Sequence, residues 1–211
     1  MRTSRILAAL LPLALVPALA GCGEQAKNTD AKPSASQSQQ ASKELKFTDQ
    51  ADHQVSVKVP VKRMVVLQHH SADILAQLGA QKQVVGIEQK WKRNLGDYMV
   101  DVFPGIEKLP TPGQLDSMNV EQVAALKPDI VIVASQANPA DLKKLDGLKI
   151  PYATVSLRAE GKQEEAQNPR LANSDKAYTD GLEWSVKTLG KLTGKEEKAK
   201  KLWDFTTQSR K

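Results

Sequence analysis

The amino-acid sequence predicts an α/β lobe in which helices flank a mostly parallel sheet, with a β-hairpin in front of it. Two observations predict this fold class. Short apolar runs of strand length alternate along the chain with segments whose apolar residues recur at helical spacing, an order typical of parallel sheets. Ahead of them, two short segments alternate apolar and polar residues around a polar turn, which is the pattern of a hairpin. The 211 residues suffice for one such lobe with a tail.

The predicted hairpin covers residues 44–61, with strands at 45–47 and 55–59. Four further strands are predicted from apolar runs at 63–67, 84–87, 129–133 and 152–156. The first of these runs is apolar at every position after Arg63, as expected of a strand that is buried on both faces.

Helices are predicted between the strands. We interpret Ser71 as the N-cap of a helix that Gly79 ends. Asn119 is interpreted as the N-cap of a helix over 119–126, with a glutamine three residues later as in a capping box. The Asn138-Pro139 pair starts another helix, because proline suits the first helical position.

Two helices are predicted to close the chain. The apolar positions of the first recur at intervals of four, four and three residues, at Tyr178, Leu182, Val186 and Leu189. A second capping box at 193–196 opens the last helix, which meets neither glycine nor proline before Lys211. We interpret the end of the chain as lying within a helix.

The first 21 residues are typical of an export signal. Arg2 and Arg5 precede an apolar run over 6–20, which is shorter than the roughly 20 residues of a spanning helix and contains two prolines. The run ends in Leu-Ala-Gly before Cys22, the only cysteine of the chain. This segment resembles a bacterial lipobox and predicts cleavage before Cys22 and acylation of its thiol, for example with palmitate. A secreted protein with an unmodified cysteine is the alternative.

Residues 22–43 are predicted to be a flexible tether, because they contain almost no bulky apolar side chain. About twenty such residues reach roughly 25 Å, so the lobe is expected outside the cytoplasm, in a periplasm or at the outer face of a cell membrane. The net charge of +6 includes two arginines of the signal. The remaining basic residues are interleaved with acidic ones and with few aromatics, so no nucleic-acid partner is predicted.

Polar side chains follow the predicted strands, where open parallel sheets bind ligands. The candidate ligand-binding residues are His69, His70, Ser71, Trp91, Arg93, Gln136 and Asn138. Guanidinium and amide groups suit anionic ligand oxygens, and an indole suits a flat ligand. For each residue a structural role is the alternative: satisfied loop histidines, a half-buried tryptophan between surface cations, and a helix cap at Asn138.

The two adjacent histidines are expected on an extended loop, with their rings pointing in different directions. They are therefore not expected to hold one metal ion together, although either His69 or His70 could ligate iron or haem. Nucleotide, P-loop, zinc-protease and serine-hydrolase motifs are absent from the sequence. A binding protein with no intrinsic cofactor is predicted, and not an enzyme.

Two blocks of the sequence resemble the periplasmic binding proteins for iron complexes and corrinoids, which serve ABC importers. The first block comprises 63–67, 71–75, 78–80 and 84–86. The second, MNVEQVAALKPDIVI at 118–132, is similar to the helix-to-strand segment of that family. The resemblance covers about residues 62–211.

The resemblance implies a receptor of two Rossmann-like lobes joined by a long helix, with the ligand between them. Residues 62–194 match the first lobe and 195–211 match the start of the joining helix, so the second lobe is missing and truncation is favoured. The implied ligand is an iron complex, with a ferric siderophore first and haem or a corrinoid next. The implied partner is the membrane subunit of the importer, onto which Glu121 would dock; a glutamate that complements a helix dipole is the alternative. A single-lobe surface lipoprotein that acts as an interaction module is the alternative function.

Overall fold

The computed structural model describes residues 42–158 and 174–209. The predicted signal, Cys22 and the tether as far as residue 41 lie outside the described residues. The tether prediction ran to residue 43, but Lys43 already belongs to the first strand.

The hairpin is present as predicted. Strand β1 (Lys43–Thr48) pairs antiparallel with β2 (Gln54–Val59), in a register that sets Lys43 opposite Val59 and Thr48 opposite Gln54. Its β2 strand alternates exposed and buried residues, because only one face of an antiparallel ribbon packs on the lobe.

Four parallel strands form the main sheet, which confirms the predicted fold class. They are β3 (Met64–Val66), β4 (Val84–Ile87), β5 (Ile130–Val133) and β6 (Tyr152–Thr154). Their order in the sheet is β4-β3-β5-β6. The chain thus proceeds from β3 to one side and then crosses to the other, so the strand order reverses between β3 and β5. Open α/β sheets bind ligands at the carboxyl ends of the strands beside such a switch point.

Seven helices are described in these two stretches of chain: α1 (His69–Leu78), α2 (Trp91–Leu95), α3 (Met99–Val102), α4 (Val120–Ala125), α5 (Pro139–Gly147), α6 (Ser174–Thr193) and α7 (Glu196–Gln208). A short 3-10 turn at Gln81–Gln83 lies between α1 and β4, and a second one at Ile106–Lys108 lies between α3 and α4. None of the described helices is long and apolar enough to cross a membrane.

The core lies on both faces of the sheet. In β5, Ile130 and Ile132 pack with the residues of α1, α6 and α7, whereas Val131 and Val133 pack with those of α4 and α5. Successive side chains of a strand point to opposite faces, so an unbroken apolar run requires helices on both sides. All three residues of β3 are buried, as the sequence predicted, and so are all four residues of β5.

The helix starts predicted at asparagine are confirmed, but the one predicted at Ser71 is wrong. Asn119 accepts a bond from the Gln122 amide, and Asn138 accepts one from the Ala140 amide. In α1 the N-cap is Gln68, whose Oε1 accepts from Ser71 N at 2.7 Å and from Ser71 Oγ at 2.9 Å. The helix therefore begins at His69, three residues earlier than an N-cap at Ser71 would place it.

Two predictions for the last helices are also corrected. Tyr178 is 51% exposed, while the buried positions of α6 include the small residues Gly181 and Ser185. Thr193 is the last residue of α6 and donates its hydroxyl to Leu189 O, so it does not cap α7. Small side chains replace large ones along α6 because a neighbouring segment packs closely on this face.

Candidate functional site

Two adjacent cavities open at the carboxyl edge of the sheet, beside the switch point between β3 and β5. The first, the Arg93 cavity, has a volume of about 280 Å³ and includes Glu88, Asn94 and Asp116. The second, the histidine cavity, has a volume of about 300 Å³ and includes His69, His70, Ser135 and Arg158. Gln136 and Leu115 line both cavities.

The predicted residues His69, His70, Arg93 and Gln136 are therefore brought together at one edge. The parallel arrangement explains this, because the segments that follow β3, β4 and β5 all leave the sheet at the same side. The three strand ends were recognisable in the sequence, and the rule that ligands meet them selected these four residues.

The two histidines occupy the first turn of α1, and not an extended loop as predicted. Their ring centroids lie 4.3 Å apart, so the expectation that the rings point apart is wrong. The cause is the early start of the helix. Consecutive side chains of a helix point about 100° apart, whereas those of an extended segment point to opposite sides.

Both imidazoles are neutral at neutral pH. Burial, with a smaller contribution from His70, lowers the pKa of His69 to about 4. Burial also lowers the pKa of His70, against an opposing effect of Asp73. A neutral imidazole offers one N–H donor and one lone pair.

Glu88 is a buried carboxylate at this edge that the sequence analysis missed. The residue is 0% exposed, and burial raises its pKa. Its Oε1 accepts from Lys90 N at 2.8 Å, and its Oε2 lies 3.2 Å from Asn94 Nδ2. Asn94 Nδ2 in turn lies 3.3 Å from His69 Nδ1. A charged residue directly after an apolar strand was the available signal.

Arg158 was missed as well. It lies after β6, at the histidine cavity, with its guanidinium carbon 5.9 Å from the centre of the Tyr178 ring. Its backbone packs so closely on α6 that a Cβ on Gly181 would lie 2.4 Å from the Arg158 carbonyl carbon. Glycine at position 181 therefore permits the segment after β6 to reach the cavity. No motif marks Arg158, since only the tertiary contact with α6 brings it there.

Three predicted residues leave the candidate set because the structure places them elsewhere. Trp91 is 6% exposed and belongs to the apolar core, so it does not stack on a ligand. Ser71 is 0% exposed and donates to Gln68. Asn138 caps α5 and lines neither cavity. For Asn138 this is the helix cap named above as the alternative, whereas Trp91 is buried more completely than either interpretation expected.

The two cations that follow Trp91 in the sequence, Lys92 and Arg93, have different surroundings. Lys92 Nζ lies 3.3 Å from Asp97 Oδ1 and 3.7 Å from Glu107 Oε1, whereas Arg93 faces the cavity named after it. Within residues 42–158 and 174–209, no three or more His, Cys, Asp or Glu side chains are grouped so that they could hold a metal ion.

Glu121 lies exposed in the first turn of α4. This position suits both the docking role and the dipole role that the sequence analysis considered. It lines neither of these two cavities, but it lines a further cavity that shares Gln114 with the Arg93 cavity.

The comparisons with known proteins identify the class. Residues 64–209 match the family described as periplasmic binding protein, and the chain belongs to this family. Over 166 residues it is 37% identical to the molybdate-binding protein MolA of Haemophilus influenzae, a match that covers 78% of this chain and 47% of MolA. The structure of MolA bound to molybdate has a TM-score of 0.70 with this chain and covers 75% of it and 49% of MolA.

Other relatives have other descriptions. The chain is 28% identical over 200 residues to YvrC of Bacillus subtilis, described as an uncharacterized ABC transporter substrate-binding lipoprotein, with coverage of 93% of this chain and 53% of YvrC. It is 29% identical over 103 residues to the vitamin B12-binding protein of Vibrio vulnificus, covering 47% of this chain and 34% of that protein. The chain thus spans about half the length of the curated relatives MolA and YvrC. The resemblance stated from the sequence is confirmed at the level of the family, and the ligand has to be argued from the site.

Proposed function

We propose that this protein is the substrate-binding component of an ABC importer and captures a small oxyanion of the molybdate type in its histidine cavity. The observation that carries the proposal is the composition of that cavity. The described residues that line it supply hydrogen-bond donors and include no carboxylate; the donors are Arg158, His69, His70, Ser135 and Gln136. The 37% identity to MolA supports the same ligand class.

The chemistry of an oxyanion matches these donors. The oxygens of a tetrahedral dianion accept hydrogen bonds only, and a guanidinium pairs with them at a fixed fork geometry. The neighbouring Arg93 cavity is less suitable, because Glu88 and Asp116 line it and repel a dianion. A volume of about 300 Å³ lies at the lower limit of pockets for drug-sized ligands. The cavity therefore favours a small ion over a bulky chelate on this lobe.

An iron complex, with a ferric siderophore before haem or a corrinoid, is the second candidate. The adjacent rings of His69 and His70 favour it, because each neutral imidazole carries a lone pair that a metal centre can use. The oxyanion ranks first since it uses Arg158 and both amide and hydroxyl donors of the cavity, whereas a metal centre uses only the imidazoles.

Calorimetric titration of the purified protein with molybdate, tungstate, sulfate, a ferric siderophore, haemin and cobalamin tests the choice. Saturable binding of molybdate and tungstate, with weak or no heat from the iron complexes, is expected. Binding of a ferric siderophore or haemin alone would contradict the oxyanion and select the second candidate. Binding of none of them would favour an interaction lipoprotein without transport.

The proposal includes an anchor and a docking contact. Acylated Cys22 and the tether hold the lobe outside the cytoplasm, and the description of YvrC as a lipoprotein supports this arrangement. Glu121 contacts arginines of the importer's membrane subunit, where an exposed carboxylate contributes register and association rate more than affinity. Its exposure in the first turn of α4 supports that role.

A further inference from the structure

Three side chains connect the end of β4 to the start of α1. Glu88 is fully buried, and its two carboxylate oxygens meet Lys90 N and Asn94 Nδ2. The same Asn94 Nδ2 lies 3.3 Å from His69 Nδ1. The amide nitrogen of Asn94 therefore contacts the Glu88 carboxylate on one side and the His69 imidazole on the other.

The positions of the protons follow from which atoms can donate. An ionised carboxylate accepts only, so Asn94 turns its NH₂ group and not its oxygen toward Glu88. The amide nitrogen cannot accept a hydrogen bond, so His69 Nδ1 has to be the acceptor in the Asn94 contact. A neutral imidazole that accepts at Nδ1 carries its single proton on Nε2.

Both premises hold at neutral pH. Burial raises the pKa of Glu88, but the hydrogen bonds from Lys90 N and Asn94 Nδ2 oppose this effect. Both carboxylate oxygens face donors, so their surroundings match the ionised form. His69 has one ring proton, because burial lowers its pKa to about 4. The opposite arrangement would place the Asn94 oxygen against a carboxylate oxygen, which are two acceptors in contact.

We infer that Glu88 is a positioning residue that acts through Asn94 to hold His69 in the tautomer with its proton on Nε2. The ring nitrogen that remains for a ligand is then an N–H donor. A donor binds an oxygen of an oxyanion, whereas a metal centre with an open coordination position needs a lone pair. The consequence for ligand choice rests on the proposed function, but the tautomer is a property of the ligand-free chain.

The test is ¹⁵N NMR of the imidazole nitrogens in the ligand-free protein at neutral pH. The chain has 3 histidines, so single His→Asn variants assign each set of signals. For His69, an unprotonated Nδ1 and a protonated Nε2 are expected. The reverse tautomer or an even mixture would overturn the inference.

Two variants test the cause. In Glu88→Gln the group facing Asn94 is an amide that can donate or accept, so a mixture of His69 tautomers and a Kd for molybdate about fivefold higher are expected. In Asn94→Asp an acceptor faces Nδ1, and the proton is expected to move there. Gln89→Ala, an exposed change next to Glu88, serves as the control and should keep the wild-type tautomer.

A merely structural role for Glu88 would lower stability and leave the His69 signals unchanged in both variants, which would also overturn the inference. If Glu88→Gln fails to fold, Asn94→Asp carries the test. The two proposals fail separately. The predicted tautomer without any oxyanion binding would refute the proposed function alone, and oxyanion binding with the reverse tautomer would refute this inference alone.

Discussion

Asp49 Oδ2 accepts a hydrogen bond of 2.7 Å from the backbone N–H of Thr154, which joins the hairpin turn to the last strand of the parallel sheet. The other oxygen of Asp49 accepts from the amides of Ala51 and His53, each at 2.8 Å. The next residue, Gln50, bonds the segment after β6 through both ends of its amide. The hairpin therefore supports the segment that carries Arg158 to the histidine cavity.

Asp49→Ala should lower the free energy of unfolding by about 3 kcal/mol, because it leaves three backbone N–H groups without their acceptor. Unfolding in urea measures the change. The exposed substitution Asp101→Asn is the control and should change the stability by less than about 0.5 kcal/mol. A loss from Asp49→Ala no larger than that of the control would show that the hairpin does not depend on this carboxylate.

Arg158→Gln should raise the Kd for molybdate about tenfold or more, since a charge-assisted hydrogen bond to the anion is lost. Lys82→Gln removes the same charge from the 3-10 turn before β4, at the opposite edge of the sheet, and should leave the Kd nearly unchanged. Calorimetry of both variants measures the difference. Equal effects would mean that only the overall charge matters and that Arg158 does not contact the ligand.

The stability of the protein should depend on His69 in weak acid. Its pKa is about 4 in the folded protein against 6.5 ordinarily, so between these values the unfolded chain binds a proton that the folded protein does not. The free energy of unfolding therefore falls as the pH falls from about 6.5 to about 4 and is unaffected by this group above that range.

His69→Asn should accordingly lose less stability than wild type between pH 7.5 and pH 4.5 in thermal unfolding. Lys82→Gln, which leaves the histidines in place, should lose as much as wild type does. An identical loss in His69→Asn and wild type would be incompatible with a depressed His69 pKa.

Glu121→Gln should reduce ligand-stimulated ATP hydrolysis by the reconstituted importer several-fold, and salt should reduce the difference between variant and wild type. Ligand affinity should be unchanged. Glu197→Gln is a matched control, because Glu197 is also an exposed glutamate in the first turn of a helix. A similar reduction of ATP hydrolysis in both variants would show that Glu121 makes no specific contact with the importer.

Cys22→Ser should abolish incorporation of labelled palmitate and release the protein from the membrane fraction, since no thiol remains for acylation. Cell fractionation with immunoblotting measures the release. Retention of the serine variant on the membrane would show that the protein is held there by another means.

Most of the fold could be predicted from the sequence, because the patterns that indicate strands and helix starts are local. The apolar run after Arg63 indicated a strand buried on both faces, and the run at 130–133 indicated a further strand. The asparagines before α4 and α5 indicated the starts of these helices. The start of α1 was misplaced since a glutamine, Gln68, caps it, whereas Ser71 two residues into the helix is the commoner capping type.

The candidate site was predictable only in part. His69, Arg93 and Gln136 lie in the segments that follow β3, β4 and β5. The sheet topology alone therefore brings them to one edge. Arg158 reaches the cavity through a close contact with Gly181, and Trp91 is drawn into the core by packing. Contacts between segments that are far apart in the chain leave no local sequence pattern. For this reason the sequence did not reveal Arg158 and suggested the wrong role for Trp91.

Crystals of the mature protein grown with molybdate and measured at the molybdenum absorption edge would locate the bound anion. We expect one anomalous peak in the histidine cavity, within hydrogen-bonding reach of the Arg158 guanidinium and His69 Nε2. Molybdenum bound away from that cavity, or none bound while a ferric complex gives an iron peak there, would contradict the proposed function.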